Sequence, residues 1–156
     1  MHLLPHLPRR VLPSLLAFLA TLAVTAGTAL VGAAPAAAVT TRETAMLAKI
    51  NNARAGHGLR PLALSGDLST IARSHSRQMA SSSTLFHTAS FSSICCWSAI
   101  AENVGTGGSV RTVHRAFLRS SDHRSNILDS RMRQVGVGIV AVGGQVWVTE
   151  IFRRPG

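Results

Sequence analysis

Three residues drawn from separate regions of the chain could do chemistry together: His87 in "FHT", Glu102 in "AENVG" and His123 in "SSDHRSN". Two imidazoles and a carboxylate can hold a divalent metal such as zinc with open coordination positions. They can equally run acid–base catalysis, with the carboxylate orienting one ring. In the metal case His87 and His123 are the expected ligands, with Glu102 as base or orienter. No local motif of the HExxH kind joins the three, so the fold must supply the geometry. His87 and His123 stand out because each sits in a polar, non-periodic segment beside a structural element. His75 instead falls on the apolar face of a predicted helix and reads as a satisfied core histidine. His57 lies in a turn, and His114 alternates with arginines; both are expected to be solvated.

The two cysteines, Cys95 and Cys96, are adjacent. Neighbouring Cα atoms are about 3.8 Å apart, below the usual disulfide range, and an extended backbone sends successive side chains to opposite faces. The pair could form a strained ring, cross-link two chains, or stay reduced with one thiol buried. No adjacent basic residue or helix start suggests a nucleophilic thiol. Arg111, Arg115 and Arg119 recur every four residues and form a basic stripe, either a solvated face or an anion-binding surface. "GTGGS" before them lacks the Lys-Ser/Thr ending of a phosphate loop, and no Gly-x-Ser-x-Gly elbow is present.

These residues must be positioned by a domain smaller than the whole chain. Arg9-Arg10, a long apolar run and the small-residue exit "PAAAV" read as a secretory signal over residues 1–38, cut after Ala38. Left uncleaved, that run is long enough to span a bilayer, which is the only membrane-spanning route expected. The remainder, residues 39–156, has the size of one domain with its own core. Without Arg9 and Arg10 it carries 14 basic residues against 6 acidic ones, a net charge of +8. Such a charge either keeps the protein soluble or draws it to an anionic partner. For an exported chain the expected partner is a wall polymer or lipid head group, not nucleic acid. Two cysteines make no disulfide framework, so the core must hold the fold. The sequence leaves the oligomeric state unknown.

Local signals outline the elements. Thr40 and Glu43 have capping-box spacing before a first helix, and Gly56 or Gly58 can end it. "LRPLALSGD" reads as a turn-rich connection to a second helix, which starts near Ser65 or Asp67. "SSSTLFHTASFSSICC" reads as an ordered loop and "WSAIAENVG" as a short extended piece. Ser109 caps a third helix with Val110, Val113 and Phe117 inward, and "SSDHRSNIL" as a turn and short helix. Val135, Val137 and Ile139 alternate with Gln or Gly, and Gly143-Gly144 turns that strand into "QVWVTEIF". Helices first and strands last indicate an α+β domain.

The order "INNARAGHGLRPL", "LSTIARSHSRQMA", "FHT", "AENVG", "SSDHRSNIL", "VGVGIV", "WVTEIF" resembles the CAP superfamily: the cysteine-rich secretory proteins, antigen 5 and the plant pathogenesis-related-1 proteins. The likeness runs from about Glu43 to Phe152 and is nearest to the small secreted bacterial branch. It implies a single-domain α-β-α sandwich with a small, mainly antiparallel sheet, and a surface cleft lined by two histidines and two glutamates that binds a divalent metal in some members. By motif the histidines fall on His87 and His123 and the first glutamate on Glu102. The second glutamate is replaced near Ser120. Asn126 is expected to fix the loop around His123, and Asn103 to do the same beside Glu102. The disulfides of eukaryotic members are absent.

Two functions are compatible with this reading. The first is a secreted, non-enzymatic binding module whose His/Glu-lined cleft and basic surface engage a lipid, amphiphile or anionic envelope component. The alternative is a metal-dependent, protease-like hydrolase using His87, Glu102 and His123 as catalytic residues.

Overall fold

The computed structural model describes residues 40–156. The signal segment expected over residues 1–38 lies outside these residues. Helix α1 (Thr41–Ala55) opens with the capping box: Thr40 Oγ1 accepts from the Glu43 amide at 3.2 Å, and Glu43 Oε2 accepts from the Thr40 amide at 2.9 Å. The left-handed Gly58, at φ 68°, follows the helix end and lets the chain reverse. The connection that follows contains a strand that local periodicity does not show, β1 (Ala63–Leu64). Its two residues become a strand only by pairing in parallel with Gln134 and Val135.

Helix α2 (Gly66–Ser82) starts after Ser65 as expected. A long loop then leads to β2 (Trp97–Gly107), which takes in most of the expected glycine turn. Helix α3 (Val110–Arg119) is capped by Ser109, whose hydroxyl accepts from the Thr112 amide at 3.1 Å. Only Ser120 separates it from α4 (Ser121–Leu128). Strands β3 (Gln134–Val142) and β4 (Gln145–Pro155) form the hairpin, with Gly143 and Gly144 at φ 58° and 75°, the left-handed pair of a two-residue turn.

The sheet runs β1-β3-β4-β2, antiparallel except for β1, and β2 is an edge strand paired with β4 along almost its full length. Alternation along the strands sorts residues to two faces. Val135, Val137, Val148 and Phe152 pack with Met46 and Ile50 of α1, Val113 and Phe117 of α3, and Ile127 of α4. On the other face Ile151 packs with Leu68 and Ala72 of α2. Helices therefore cover both faces, an α-β-α sandwich.

Glycine makes the α2 contact possible. A Cβ on Gly136 would lie 2.3 Å from the Leu68 carbonyl carbon, and one on Gly138 2.1 Å from that of Ala72. The glycines between the valines of β3 are thus where the helix backbone lies directly on the strand. Buried polar ties join the layers. Arg73 of α2 pairs with Glu43 of α1 at 2.8 Å. Ser76 donates to the Gly138 carbonyl at 2.9 Å. Arg54 donates to the carbonyls of Arg60, Ile127 and Asp129 at 2.9, 2.7 and 3.0 Å, fixing α4 against α1.

One histidine departs from expectation. His114 is buried, not solvated. Helix α1 packs against α3, and burial together with the nearby Lys49 charge holds the imidazole below its usual pKa.

Candidate functional site at the free edge of the sheet

Strand β2 delivers Glu102 to the α2 face of the sheet, where its side chain is only 3% exposed. A buried carboxylate needs donors, and the loop after α2 provides them. His87 Nδ1 donates to Glu102 Oε2 at 2.8 Å, and the Thr88 amide donates to the same oxygen at 2.9 Å. The Thr88 hydroxyl donates to Oε1 at 2.6 Å. His75 stands behind, its Nε2 donating to the Phe86 carbonyl at 2.8 Å and lying 3.9 Å from Glu102 Oε1. The Phe86 ring meets the His75 ring edge-on at 4.9 Å. His75 is thus the satisfied core histidine expected, with the added role of holding the loop. The His87 side chain projects outward, 61% exposed, with Nε2 directed away from the carboxylate that grips Nδ1.

Asn103, the next residue on β2, points to the opposite face. Its Nδ2 donates to the His123 carbonyl at 3.1 Å and to Glu150 Oε2 at 3.0 Å. Asn126 on α4 donates to Asn103 Oδ1 at 2.9 Å and to the Glu102 carbonyl at 3.3 Å. The two asparagines therefore cross over: Asn103 holds the backbone at His123, while Asn126 holds the backbone at Glu102.

His123 itself is half-buried, its ring tilted against Phe117 with centroids 4.9 Å apart. Burial, and secondarily the charge of His87, keep it below the usual imidazole pKa. The two histidines thus approach from opposite faces around the free edge of β2. Among the described residues the His123 ring forms no hydrogen bond with Glu102, whose side chain lies on the other side of the strand. Among the described residues no enclosed pocket lies there.

The donor set can be tested against a metal. His87 Nε2 and the His123 ring are the available nitrogens, and Glu102 would act behind His87 in the way carboxylates orient ligating histidines. Catalytic zinc takes three protein ligands. Among the described residues no three His, Cys, Asp or Glu side chains converge on one point. Two imidazoles alone do not fit a catalytic zinc centre.

Several contributors escape the sequence reading. Thr88 gives two of the bonds to Glu102, and its adjacency to His87 in "FHT" is the only local hint. Glu150 is fully buried with Oε1 unpartnered, and burial pushes it up to about 8. It occupies an inward position of the alternating series Val146, Val148, Glu150, Phe152, which a strand pattern could have flagged. Arg111, Arg115 and Arg119 are exposed, and among the described residues none forms an ion pair. Cys95 and Cys96 are both exposed free thiols, so neither is the buried one of the expected alternatives.

Comparison with known proteins agrees with this architecture. The chain is similar to an extracellular protein containing a SCP domain from Bacillus anthracis, at 21% identity and TM-score 0.64 over 71% of this chain and 39% of that one. It spans about two fifths of that protein's length. An outer surface protein of Borrelia burgdorferi matches with TM-score 0.67 and 16% identity, covering 76% of this chain and 97% of that one. The venom allergen-like protein 4 of Schistosoma mansoni gives TM-score 0.64 at 9% identity, over 76% and 91% of the two chains. At these identities the likeness establishes the fold. No curated protein matches the sequence. The family model of the cysteine-rich secretory protein family, CAP, matches residues 47–152, and the chain belongs to that family.

Proposed function

We propose that the protein is an exported binding module for anionic amphiphiles, such as lipids with acidic head groups in a cell envelope. The observation that carries this reading is the exposed run Leu85-Phe86-His87, tethered at its base to the buried Glu102. Leu85 is 45% and Phe86 39% exposed, while the Phe86 carbonyl accepts from His75 and the next two residues bond Glu102. An apolar surface beside an imidazole offers contact to an acyl chain and a donor to a head group. Helix α3 supplies three exposed arginines that form no ion pair among the described residues, ending at Arg119, four residues before His123. Bacterial structures of this fold carry names describing extracellular or outer-surface proteins, in keeping with export.

Glu102 favours binding over hydrolysis. Its side chain is 3% exposed and accepts three hydrogen bonds from the loop, so it is engaged as an anchor and offers little surface to a solvent water.

The test is binding to phosphatidylglycerol vesicles, with phosphatidylcholine vesicles as the neutral control, as salt is raised. Affinity for the anionic vesicles should fall with salt and drop at least ~10-fold when Arg111, Arg115 and Arg119 are all replaced by Gln. The Phe86→Ser variant should weaken binding in a salt-independent manner. Equal affinity for both vesicles, unchanged in all variants, would refute the reading.

A further inference from the structure

Cys95 and Cys96 end the long loop and immediately precede β2. Among the described residues two non-glycine positions have left-handed backbone, Ser83 at φ 50° and Cys96 at φ 62°. Ser83 is explained by its place as the cap of α2, where such a conformation closes the helix. Cys96 terminates no helix, and a side chain there costs conformational energy that the surroundings must hold in place. They do so from several sides. The Cys96 carbonyl accepts from the Gly156 amide at 3.0 Å, Trp97 Nε1 donates to the Ile94 carbonyl at 3.0 Å, and Ser98 Oγ donates to the Pro155 carbonyl at 3.1 Å.

The consequence is visible in the thiols. In an extended chain they would point to opposite faces. Here the backbone at Cys96 is left-handed, not extended, and the neighbouring Cys95 thiol raises the Cys96 pKa. Both are exposed to solvent. The left-handed turn at Cys96 therefore removes the extended arrangement that would hold two accessible thiols on opposite faces, as ring closure between neighbours requires.

We propose that Cys95-Cys96 is an oxidation site that closes to a vicinal disulfide by exchange with an external disulfide. One thiol gives its proton to solvent, and the resulting thiolate attacks a sulfur of the external disulfide. A mixed disulfide forms and one thiolate leaves. The second cysteine, deprotonated in turn, attacks the protein-bound sulfur, closes the ring and expels the other thiolate. Both cysteines are oxidised together, and the external disulfide is reduced to two thiols. The short Cα separation strains the ring, so its bond is readily reduced again, which suits a reversible redox-responsive site more than a structural staple. Trp97 adjoins the site and can report on it.

The experiment incubates the protein in oxidised and reduced glutathione at graded ratios, followed by intact-mass spectrometry under non-reducing conditions. The expected product is a monomer about 2 Da lighter, appearing without added metal and reverting as reduced glutathione is restored. In a Trp147→Phe background, the Trp97 emission should change over the same range of ratios. Cys95→Ser and Cys96→Ser should each abolish the mass loss and the emission change while accumulating a glutathione adduct. Disulfide-linked dimer or stable glutathione adduct as the main product of the unsubstituted protein would overturn the proposal, as would absence of any reaction.

Discussion

Glu150 stands directly opposite Asn103 in the β2–β4 ladder, and Asn103 Nδ2 donates to its Oε2 at 3.0 Å. This single bond does not compensate full burial, and desolvation lifts the carboxyl from 4.5 to about 8. The folded protein thus binds a proton that the unfolded chain releases. Stability contributed by this site is complete below pH 4.5, declines as pH rises, and levels off above about 8. At pH 7 the difference corresponds to roughly 3 kcal/mol by linkage, at about 1.4 kcal/mol per pH unit. Glu150→Gln keeps an acceptor for Asn103 without the titration. Denaturant unfolding should show the variant close to the parent at pH 5 and more stable by a few kcal/mol at pH 9. Parallel pH profiles of the two proteins would refute the assignment.

A second expectation concerns the tether of the loop. Glu102→Ala removes the acceptor for His87 Nδ1, the Thr88 amide and the Thr88 hydroxyl. The loss should cost about 1–3 kcal/mol, because three hydrogen bonds to a buried carboxylate disappear together. Hydrogen exchange gives the local readout: the Thr88 amide should lose its protection, while amides in the β3–β4 hairpin keep theirs apart from the global change. Glu102→Gln, which retains one carbonyl oxygen, should recover part of both.

His123 reports on its distance from His87. Burial and, after it, the His87 charge depress its pKa. Followed by NMR, the His123 ring should titrate below the usual imidazole midpoint, and His87→Ala should move that midpoint upward. Because the folded pKa is depressed, the site's contribution to stability is present above the unfolded imidazole value of 6.5 and is lost as pH falls below it. An unchanged His123 titration in the variant would show that the two rings do not share a site.

Much of this was legible because it is local. Thr40 with Glu43, Ser109 before α3, and Gly143-Gly144 between alternating valines are each decided within a few residues, and the structure bears out all of them. His87 and Glu102, which the resemblance expects side by side, are joined by a hydrogen bond. What escaped depends on distant partners. The strand character of Ala63–Leu64 exists only through β3. His114 reads as solvent-facing in the pattern of α3, but α1 closes over it. The side of β2 on which Glu102 lies is fixed by pairing with β4, and that pairing separates its carboxylate from His123. Cys96 could be read as a neighbour of Cys95, but its left-handed backbone comes from contacts with the far C-terminus.

Among the described glycines, the one with least room for a Cβ gives the last prediction. Gly138 lies against α2 so tightly that a Cβ would stand 2.1 Å from the Ala72 carbonyl carbon, 2.2 Å from the Arg73 nitrogen and 2.4 Å from the Ala72 oxygen. All three are backbone atoms, which no side-chain rotation can move aside. The Gly138 carbonyl also accepts from buried Ser76, so a shift of the helix would break that bond as well. Ordinary overpacking costs about 1–3 kcal/mol. Gly138→Ala should exceed that range, appearing as a large fall in the denaturant midpoint or as failure to fold. Gly108, where a Cβ meets nothing within 4 Å, is the control, and Gly108→Ala should be nearly neutral. Comparable stability of the two alanine variants would mean that α2 does not lie on β3 in this way.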